Sequence, residues 1–247
     1  MLVPSYDSGK LLAATLAEAL AHWAPVWVVI DGGTDRSGAD AEAMARADNR
    51  LRVLRLARNQ GKGAAIRHGL LAAAAAGFTH ALLMDADGQH PTVLITTFMA
   101  VSHANPDTLV MGRPVFGPDA PRARVIGRRI SNWLAAIEVG RPVGDTLFGF
   151  RVAPIAPLLA AFSQSTGMRR YDFDHEAVVR LAWAGTRLIH LAAPVRYLGR
   201  AEGGISHFRY IRDNARFLAM HLRLAASVLA RRLASPFPPG GERHGEG

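Results

Sequence analysis

Residues 81–91 read ALLMDADGQHP, an apolar run followed by two carboxylates, a glycine and a proline. The first four side chains predict a short buried strand, and Pro91 is typical of the first turn of a following helix. Asp85 and Asp87 would then lie where a strand ends, which is the edge at which open α/β sheets bind ligands. Carboxylate oxygens there suit a hard divalent cation that also holds phosphates, although an ordinary solvated loop can have the same spacing.

The composition limits the classes of protein to which the chain can belong. Its 247 residues can bury the core of one large α/β domain or of two small ones. The absence of cysteine excludes disulfides and thiolate metal sites, which leaves carboxylates and histidines as possible ligands. The sequence contains neither a secretory leader nor an uninterrupted apolar stretch of about eighteen residues, so we expect a cytoplasmic protein.

The formal net charge of +9 is concentrated in the C-terminal part of the chain. Residues 1–100 contain nine basic and nine acidic side chains, whereas residues 187–247 contain ten and four. Such a region is typical of proteins that bind nucleic acid, an anionic membrane or phosphorylated ligands. Aromatic residues make up only 7% and are not interleaved with the basic ones, so we expect no nucleic-acid partner.

Strands and helices alternate along much of the chain. Apolar runs predict strands at residues 2–3, 26–30, 51–56, 81–84 and 108–111. Helical periodicity predicts helices at residues 9–22, 62–76, 93–102 and 123–139. Repeated strand–helix units predict a single α/β domain over residues 1–200, with a mixed, mostly parallel sheet and helices on both faces.

Residues 206–233 predict a basic amphipathic helix within a separate region, residues 201–234. At about 100° per residue, one stripe carries arginines and the opposite stripe is apolar. The arginines are Arg209, Arg212, Arg216, Arg223 and Arg231, and the apolar residues are Ile211, Leu218, Leu222 and Leu229. We expect the apolar side to pack on or next to the domain and the arginines to face water or anionic lipid, peripherally on the inner face of the cytoplasmic membrane. The Pro/Gly-rich residues 235–247 predict a disordered tail.

Polar clusters also follow the other predicted strands. Asp31 and Gly33 follow the second strand, where glycine permits a tight turn and the carboxylate can accept hydrogen bonds from a base or ribose. Asn59 and Lys62 follow the third strand and open a helix, whose free N–H groups favour an anion together with the lysine. A Walker loop is excluded because Leu56 stands where its first glycine should be.

The ordered set of these motifs resembles family 2 glycosyltransferases, most of all the branch that transfers sugars to dolichyl and polyprenyl phosphates. The motifs are PSYD at 4–7, DGGTD at 31–35, NQGKGAA at 59–65, MDADGQHP at 84–91, GR at 112–113 and DTLFGFR at 145–151. The resemblance covers about residues 1–200 and implies a Rossmann-like glycosyltransferase A fold that binds a nucleotide-diphosphate sugar. It implies that Asp85, Asp87 and Gln89 hold Mg²⁺ or Mn²⁺ on the donor diphosphate and that Asp31 contacts the nucleoside.

The same resemblance implies two groups of ligand-binding residues. The donor group contains Pro4, Tyr6, Asp7, Asp31, Gly33, Asn59, Lys62, Asp85 and Asp87. The acceptor group contains Arg113, Arg128, Arg129 and Ser131, for which a solvated basic helix face is the alternative. If the acceptor is a hydroxyl, Asp174 is our candidate for the general base, and simple helix capping is the alternative for it. We expect inverting transfer of a sugar to a lipid or lipid-linked acceptor in cell-envelope synthesis, with Asp87 essential for catalysis.

Three departures from the family pattern leave the identity of the donor nucleoside and of the acceptor undetermined. Ile30 stands where relatives carry a further acid, which bears on nucleoside selectivity. Residues 147–148 are Leu-Phe in place of Gln-Ser, and residues 172–176 read DFDHE where the phosphosugar branch has apolar residues and glutamates. The last two indicate an acceptor other than a polyprenyl phosphate. A sugar-nucleotide nucleotidyltransferase and a non-enzymatic basic membrane- or nucleic-acid-binding protein are the alternatives.

Overall fold

In the computed structural model, which describes residues 1–117, 120–196 and 210–234, a seven-stranded sheet lies between two layers of helices. The strands are β1 (Leu2–Ser5), β2 (Val26–Asp31), β3 (Leu51–Leu56), β4 (His80–Leu83), β5 (Thr108–Phe116), β6 (Arg151–Pro154) and β7 (Arg187–Val195). Their order is β3-β2-β1-β4-β6-β5-β7, and β6 runs antiparallel to both of its neighbours. The predicted α/β fold with a mixed, mostly parallel sheet is confirmed.

The helices cover both faces of the sheet. They are α1 (Gly9–His22), α2 (Ser37–Ala47), α3 (Lys62–Ala75), α4 (Ile95–Ala104) after a short 3-10 turn (Thr92–Leu94), α5 (Arg122–Val139), α6 (Ile155–Ser163), α7 (Asp172–Trp183) and α8 (Tyr210–Ala234). One core cluster includes Leu12 of α1 and Phe98 of α4, and the other includes Ile66 of α3 and Phe173 of α7. Apolar burial on both faces explains why strands such as β2 are apolar almost throughout.

The strand order defines where a ligand can bind. Strands β1 to β4 are parallel, so the segments that follow them meet at one edge of the sheet. The order reverses between β1 and β4, which leaves a crevice at their carboxyl ends. Because β6 is antiparallel, its first residue, Arg151, pairs with Leu83 at the end of β4 and lies at the same edge.

Several elements differ from the sequence prediction. Strand β5 extends to Phe116, five residues beyond its predicted end at Met111, because it pairs with β7 along its whole length. Strand β6 was not predicted, although it lies in the middle of the sheet between β4 and β5. Its four residues are too few to show an apolar period of their own.

The orientation predicted for the C-terminal helix is wrong. Met220 and Leu224 of α8 are fully buried, whereas the leucines predicted to pack are exposed. Arg223 instead points inward and its Nη2 lies 3.1 Å from Glu176 Oε2 of α7. The guanidinium of Arg231 lies 4.6 Å above the ring of Trp183. Acidic and aromatic partners on α7 therefore attract the arginine side of the helix.

Two further predictions at this end of the chain fall outside the described residues, namely the basic residue Arg209 and the disordered tail 235–247. Among the helices that the structure describes, none is both long enough and apolar enough to cross a membrane.

The N-terminus of α3 packs closely against the loop before α7, and a glycine permits this contact. A Cβ atom on Gly63 would lie 2.1 Å from the carbonyl oxygen of Met168. Gly127 in α5 offers a matched control, because a Cβ there would have no neighbour within 4 Å. We expect Gly63→Ala to lower the free energy of unfolding by about 2 kcal/mol or more, as overpacked core variants do. Gly127→Ala should leave it unchanged or raise it by up to about 1 kcal/mol through helix propensity.

Urea unfolding followed by circular dichroism measures both free energies. Equal stability of the two variants would contradict the close approach of α3 to the loop before α7.

Candidate active site

A lysine that is only 15% exposed connects three segments at the carboxyl edge of the sheet. Lys62 begins α3, and its Nζ lies 2.7 Å from Asp85 Oδ1 after β4 and 2.7 Å from Asp174 Oδ2 in α7. Burial disfavours the charged ammonium, but the two carboxylates outweigh this effect and raise the pKa of Lys62 above its usual range. Lys62 is therefore a fixed positive charge that holds both carboxylates in place.

Asp85 is held as an anion by its neighbours. Burial alone would raise the pKa of its carboxyl, but Lys62 and His90 keep that pKa well below the usual range. The Nε2 atom of His90 lies 3.5 Å from Asp85 Oδ2. A Cβ on Gly149 would lie 2.8 Å from the same oxygen, so the loop before β6 approaches Asp85 closely only because residue 149 is glycine.

Asp87 has different surroundings from Asp85. Burial and the negative charge of Asp85 raise the pKa of the Asp87 carboxyl. Its Oδ1 accepts a hydrogen bond of 3.1 Å from the backbone N–H of Gln89, and no lysine or arginine pairs with it within residues 1–117, 120–196 and 210–234. A cation beside Asp87 would remove this unfavourable charge. The hard oxygen atoms of the loop thus fit a divalent cation such as Mg²⁺ or Mn²⁺.

The predicted donor residues at the ends of β1 and β2 lie together. Asp7 Oδ1 accepts hydrogen bonds from the backbone N–H of Thr34 at 2.6 Å and of Asp35 at 3.0 Å. Burial opposes ionisation of Asp7, but these hydrogen bonds outweigh it and lower the pKa. Gly33 lies against the same carboxylate, where a Cβ would be 3.0 Å from Asp7 Oδ1. Asp7 therefore fixes the β2 loop beside the β1 loop.

The side chains of Asp31 and Asn59 accept hydrogen bonds from other residues of the protein. Asp31 is only 2% exposed, and its two oxygens accept 2.7 Å hydrogen bonds from the backbone N–H groups of Gln60 and Gly61. The side-chain oxygen of Asn59 accepts a 2.9 Å hydrogen bond from Arg170. Asp31 thus shapes the turn that opens α3, and its contact with a nucleoside stays a prediction.

The two remaining donor candidates belong to the first strand and its end. Pro4 lies within β1 opposite Val29, and Tyr6 directly follows the strand; both are half-buried. The structure therefore brings all the predicted donor residues to one edge of the sheet.

The arginines predicted to bind an acceptor lie on β5 and α5. Arg128 Nη1 is 2.7 Å from Asp145 Oδ1, and its guanidinium lies 5.9 Å from the centre of the Phe148 ring. Arg113 and Arg129 are exposed. Ser131 is not brought together with them, because it is buried and its Oγ lies 3.0 Å from His175 Nδ1.

Asp174 is enclosed by cations. In addition to Lys62, it contacts Arg151, whose Nη2 binds Asp174 Oδ1 and whose Nη1 donates a 2.9 Å hydrogen bond to the Asp174 carbonyl oxygen. The backbone N–H groups before α7 bond to Asp172 instead, at 3.0 Å from Met168 and 2.8 Å from Arg170. Asp174 thus forms ion pairs within the site, and Asp172 fixes the loop that precedes α7 and does not cap the helix.

Sequence reasoning assigned no role to Arg151, Gly149 or Asp145, although all three lie in the quoted motif at 145–151. Arg151 is 2% exposed and supplies the second cation of Asp174. A single charged residue directly before an apolar stretch, in the run FRVAP, is the signal that could have indicated a buried ion pair.

Solved structures share this fold. Glucosyl-3-phosphoglycerate synthase from Mycobacterium tuberculosis, in complex with Mn²⁺ and UDP-glucose, superposes with a TM-score of 0.60 over 93% of this chain and 77% of its own, at 16% identity. S. aureus TarS 1–349 in complex with UDP-GlcNAc superposes with a TM-score of 0.53 over 84% of this chain and 60% of its own, at 17% identity. At such identities the likeness concerns the fold alone.

Sequence comparison identifies a related enzyme and a family. Polyprenol monophosphomannose synthase of Mycolicibacterium smegmatis is 27% identical in an alignment of 158 residues that covers 61% of this chain and 59% of that enzyme, so the chain spans less than two thirds of its relative. Residues 1–164 match the model of glycosyl transferase family 2. With its glycosyltransferase A fold and the motifs gathered at one sheet edge, the chain belongs to glycosyl transferase family 2.

Proposed function

We propose that the protein transfers a sugar from a nucleotide-diphosphate donor to a lipid or lipid-linked acceptor, with inversion at the anomeric carbon and with Mg²⁺ or Mn²⁺ bound at Asp85 and Asp87. The observation that carries this proposal is the pair of carboxylates at the crevice: Lys62 holds Asp85, whereas Asp87 has no lysine or arginine partner among the described residues. Gln89 completes the same loop, and its backbone N–H orients Asp87. The Mn²⁺ and UDP-glucose of one structural relative and the polyprenol substrate class in the name of one sequence relative support the choice of ligands.

Different residues of this chain would bind the donor and the acceptor. Asp85 and Asp87 would hold the cation, which would supply Lewis-acid stabilisation of the charge on a leaving diphosphate. Lys62 holds Asp85 in position, while Asp7 and Asp31 fix the two loops that border the nucleotide. On the acceptor side, Arg113 and Arg129 are exposed and can bind a phosphate through paired N–H groups.

We further propose that Asp174 positions Lys62 and Asp85 and does not itself accept the acceptor proton. A general base needs a free oxygen within hydrogen-bonding reach of its proton donor. Both carboxylate oxygens of Asp174 already bind cations, namely Lys62 and Arg151. A phosphate acceptor is already anionic and needs no base, so this role of Asp174 agrees with a phosphate better than with a hydroxyl.

Two exposed stripes, which we call the apolar ridges, support a lipid acceptor and contact with a membrane. The α5 ridge is 51–63% exposed and the α8 ridge 60–74% exposed. The α5 ridge consists of Ile126, Ile130, Trp133 and Ile137, and the α8 ridge consists of Leu218, Leu222, Leu229 and Leu233. Exposed apolar side chains in such number on two neighbouring helices are unusual in a protein that contacts only water.

The charges beside the ridges favour anionic lipid as the partner. The only acids of α5 and α8 are Glu138 and Asp213, and both are buried. Arg129 is exposed next to Ile130 of the α5 ridge, and Arg212 is exposed near the start of α8. A surface with inserted apolar side chains and flanking arginines is typical of helices that lie in the interface of an anionic bilayer. The proposed membrane contact thus uses the leucines of α8, which the sequence pattern had placed against the core.

The metal assignment is tested by Asp87→Asn, with Asp107→Asn as control because Asp107 is exposed at the opposite edge of the sheet, directly before β5. We expect Asp87→Asn to weaken metal-dependent donor binding and turnover by about two orders of magnitude or more, since a central metal ligand is lost. Calorimetric titration with UDP-, GDP- and dTDP-sugars, with and without Mn²⁺, measures binding. Transfer of radiolabelled sugar into an organic phase measures turnover. An active Asp87→Asn enzyme would contradict the proposed function.

The role of Asp174 is tested by Asp174→Asn. If Asp174 positions Lys62, donor affinity measured without acceptor should fall by about tenfold or more, because Lys62 loses a fixed anion. A general base would instead leave donor affinity unchanged and lower only kcat. Unchanged donor affinity with a reduced kcat would therefore contradict the positioning role and support Asp174 as the general base.

Membrane contact is tested by the double variant Leu218→Ser/Leu222→Ser, with Leu71→Ser of α3 as an equally apolar, exposed control. We expect the double variant to sediment with anionic liposomes about tenfold or more weakly than the unchanged protein, since burying one leucine contributes about 1.5–3 kcal/mol. High salt should also weaken binding, because the arginines contribute through charge. Equal sedimentation of the double variant and the unchanged protein would contradict a contribution of the ridges to membrane binding.

A further inference from the structure

Three helices meet at a cluster of one carboxylate and two imidazoles. Glu138 lies on α5, His175 on α7 and His221 on α8. Glu138 Oε2 is 2.7 Å from His175 Nε2, and Glu138 Oε1 is 2.7 Å from His221 Nδ1. One nitrogen or oxygen atom from each residue lies within 4.8 Å of the others. We propose that this cluster binds a Zn²⁺ ion, at a site that shares no residue with the Asp85–Asp87 loop.

The donor atoms favour zinc over the metals expected at the donor loop. Two imidazole nitrogens and one carboxylate oxygen form a ligand set that zinc commonly takes, with water as a fourth ligand. Mg²⁺ and Mn²⁺ prefer oxygen ligands, which Asp85 and Asp87 supply. The two sites therefore differ in chemistry as well as in position along the chain.

The surroundings of His175 fit a metal ligand. Its Nδ1 lies 3.0 Å from Ser131 Oγ and 3.0 Å from Thr146 Oγ1. Without a metal, Nε2–H donates to Glu138 Oε2. With a metal bound, either hydroxyl could accept a hydrogen bond from Nδ1–H, which would free the Nε2 lone pair for the metal. This arrangement gives the buried Ser131 a role, since it orients the imidazole.

Zinc requires the side chains to adjust by about an ångström. In a tetrahedral site with bonds of about 2.0–2.2 Å, neighbouring ligand atoms are about 3.4 Å apart. A 2.7 Å contact must therefore lengthen by somewhat less than an ångström, and ligand atoms as far apart as 4.8 Å must approach by somewhat more than one. His221 is the side chain with room to move, because it is 18% exposed while His175 is completely buried.

A metal at this position would fasten α8 to the domain. His221 is the only one of the three ligands that comes from α8, and Glu138 and His175 belong to α5 and α7. Zinc would thus stabilise the packing of the helix that carries one of the apolar ridges. The donor loops, which are formed by other segments, would keep their structure without it.

The experiment uses the full chain, stripped with a chelator and then titrated with Zn²⁺ by calorimetry and with Co²⁺ by visible absorption. We expect one Zn²⁺ per chain with a Kd of about 1 µM or tighter, a rise in Tm with zinc, and cobalt bands of a tetrahedral site. His221→Gln should weaken zinc binding by about 100-fold and abolish the cobalt bands, as the loss of one of three protein ligands predicts. His103→Gln, an exposed histidine of α4, should bind zinc like the unchanged protein.

Asp87→Asn separates this proposal from the proposed function, because it should lose donor binding and keep the zinc site. Circular dichroism checks that His221→Gln is folded, and Glu138→Gln provides a second variant of the ligand set. If the stripped protein binds no zinc, or if His221→Gln binds it unchanged, the cluster is a hydrogen-bonded junction of three helices and the zinc site is refuted.

Discussion

The ammonium group of Lys62 lies 2.7 Å from a carboxylate oxygen of Asp85 and 2.7 Å from one of Asp174, largely out of contact with water. Removing one partner from a buried ion pair costs about 3–5 kcal/mol, because the other charge stays buried and uncompensated. Arg151 adds a second cation behind Asp174, so that two anions and two cations balance. The start of α3, the loop after β4 and the N-terminus of α7 are held together by this balance.

The same balance explains why the site would need a metal. Lys62 is shared between two carboxylates and has no charge left for a phosphate, while Asp87 stands beside Asp85 with a raised pKa. A nucleotide diphosphate is itself anionic and would be repelled by Asp87. A divalent cation between the two would remove both repulsions, so the charge of the site supports the proposed metal independently of the spacing of its two aspartates.

The sequence predicted the place of the site better than the partners of its side chains. Parallel strands bring their carboxyl ends to one edge, so Asp7, Lys62 and Asp85 could be placed together from strand order alone. The same reasoning could not foresee that Asp31 accepts hydrogen bonds from backbone N–H groups 29 and 30 residues further along the chain. Nor could it foresee that Ser131 forms a hydrogen bond with a histidine 44 residues away. Such contacts depend on how helices pack, which a local pattern does not contain.

The C-terminal helix illustrates a related limit. A period of 3.6 residues divides α8 into an apolar and a basic face, but it does not determine which face is buried. Asp172 and Glu176 are buried on α7, and a buried carboxylate needs a cation. Arg180 supplies a cation to Glu176 within α7, and Arg223 adds a second one from α8. With Arg223 turned inward, the leucines lie exposed on the far side of the helix. Because α5 carries both Arg129 and an exposed apolar ridge, the phosphate contact and the lipid contact proposed for the acceptor would be made by one helix and its neighbour α8. An acceptor with an anionic head and an apolar tail matches that surface in both of its parts, which neither a sugar nor a free phosphate does.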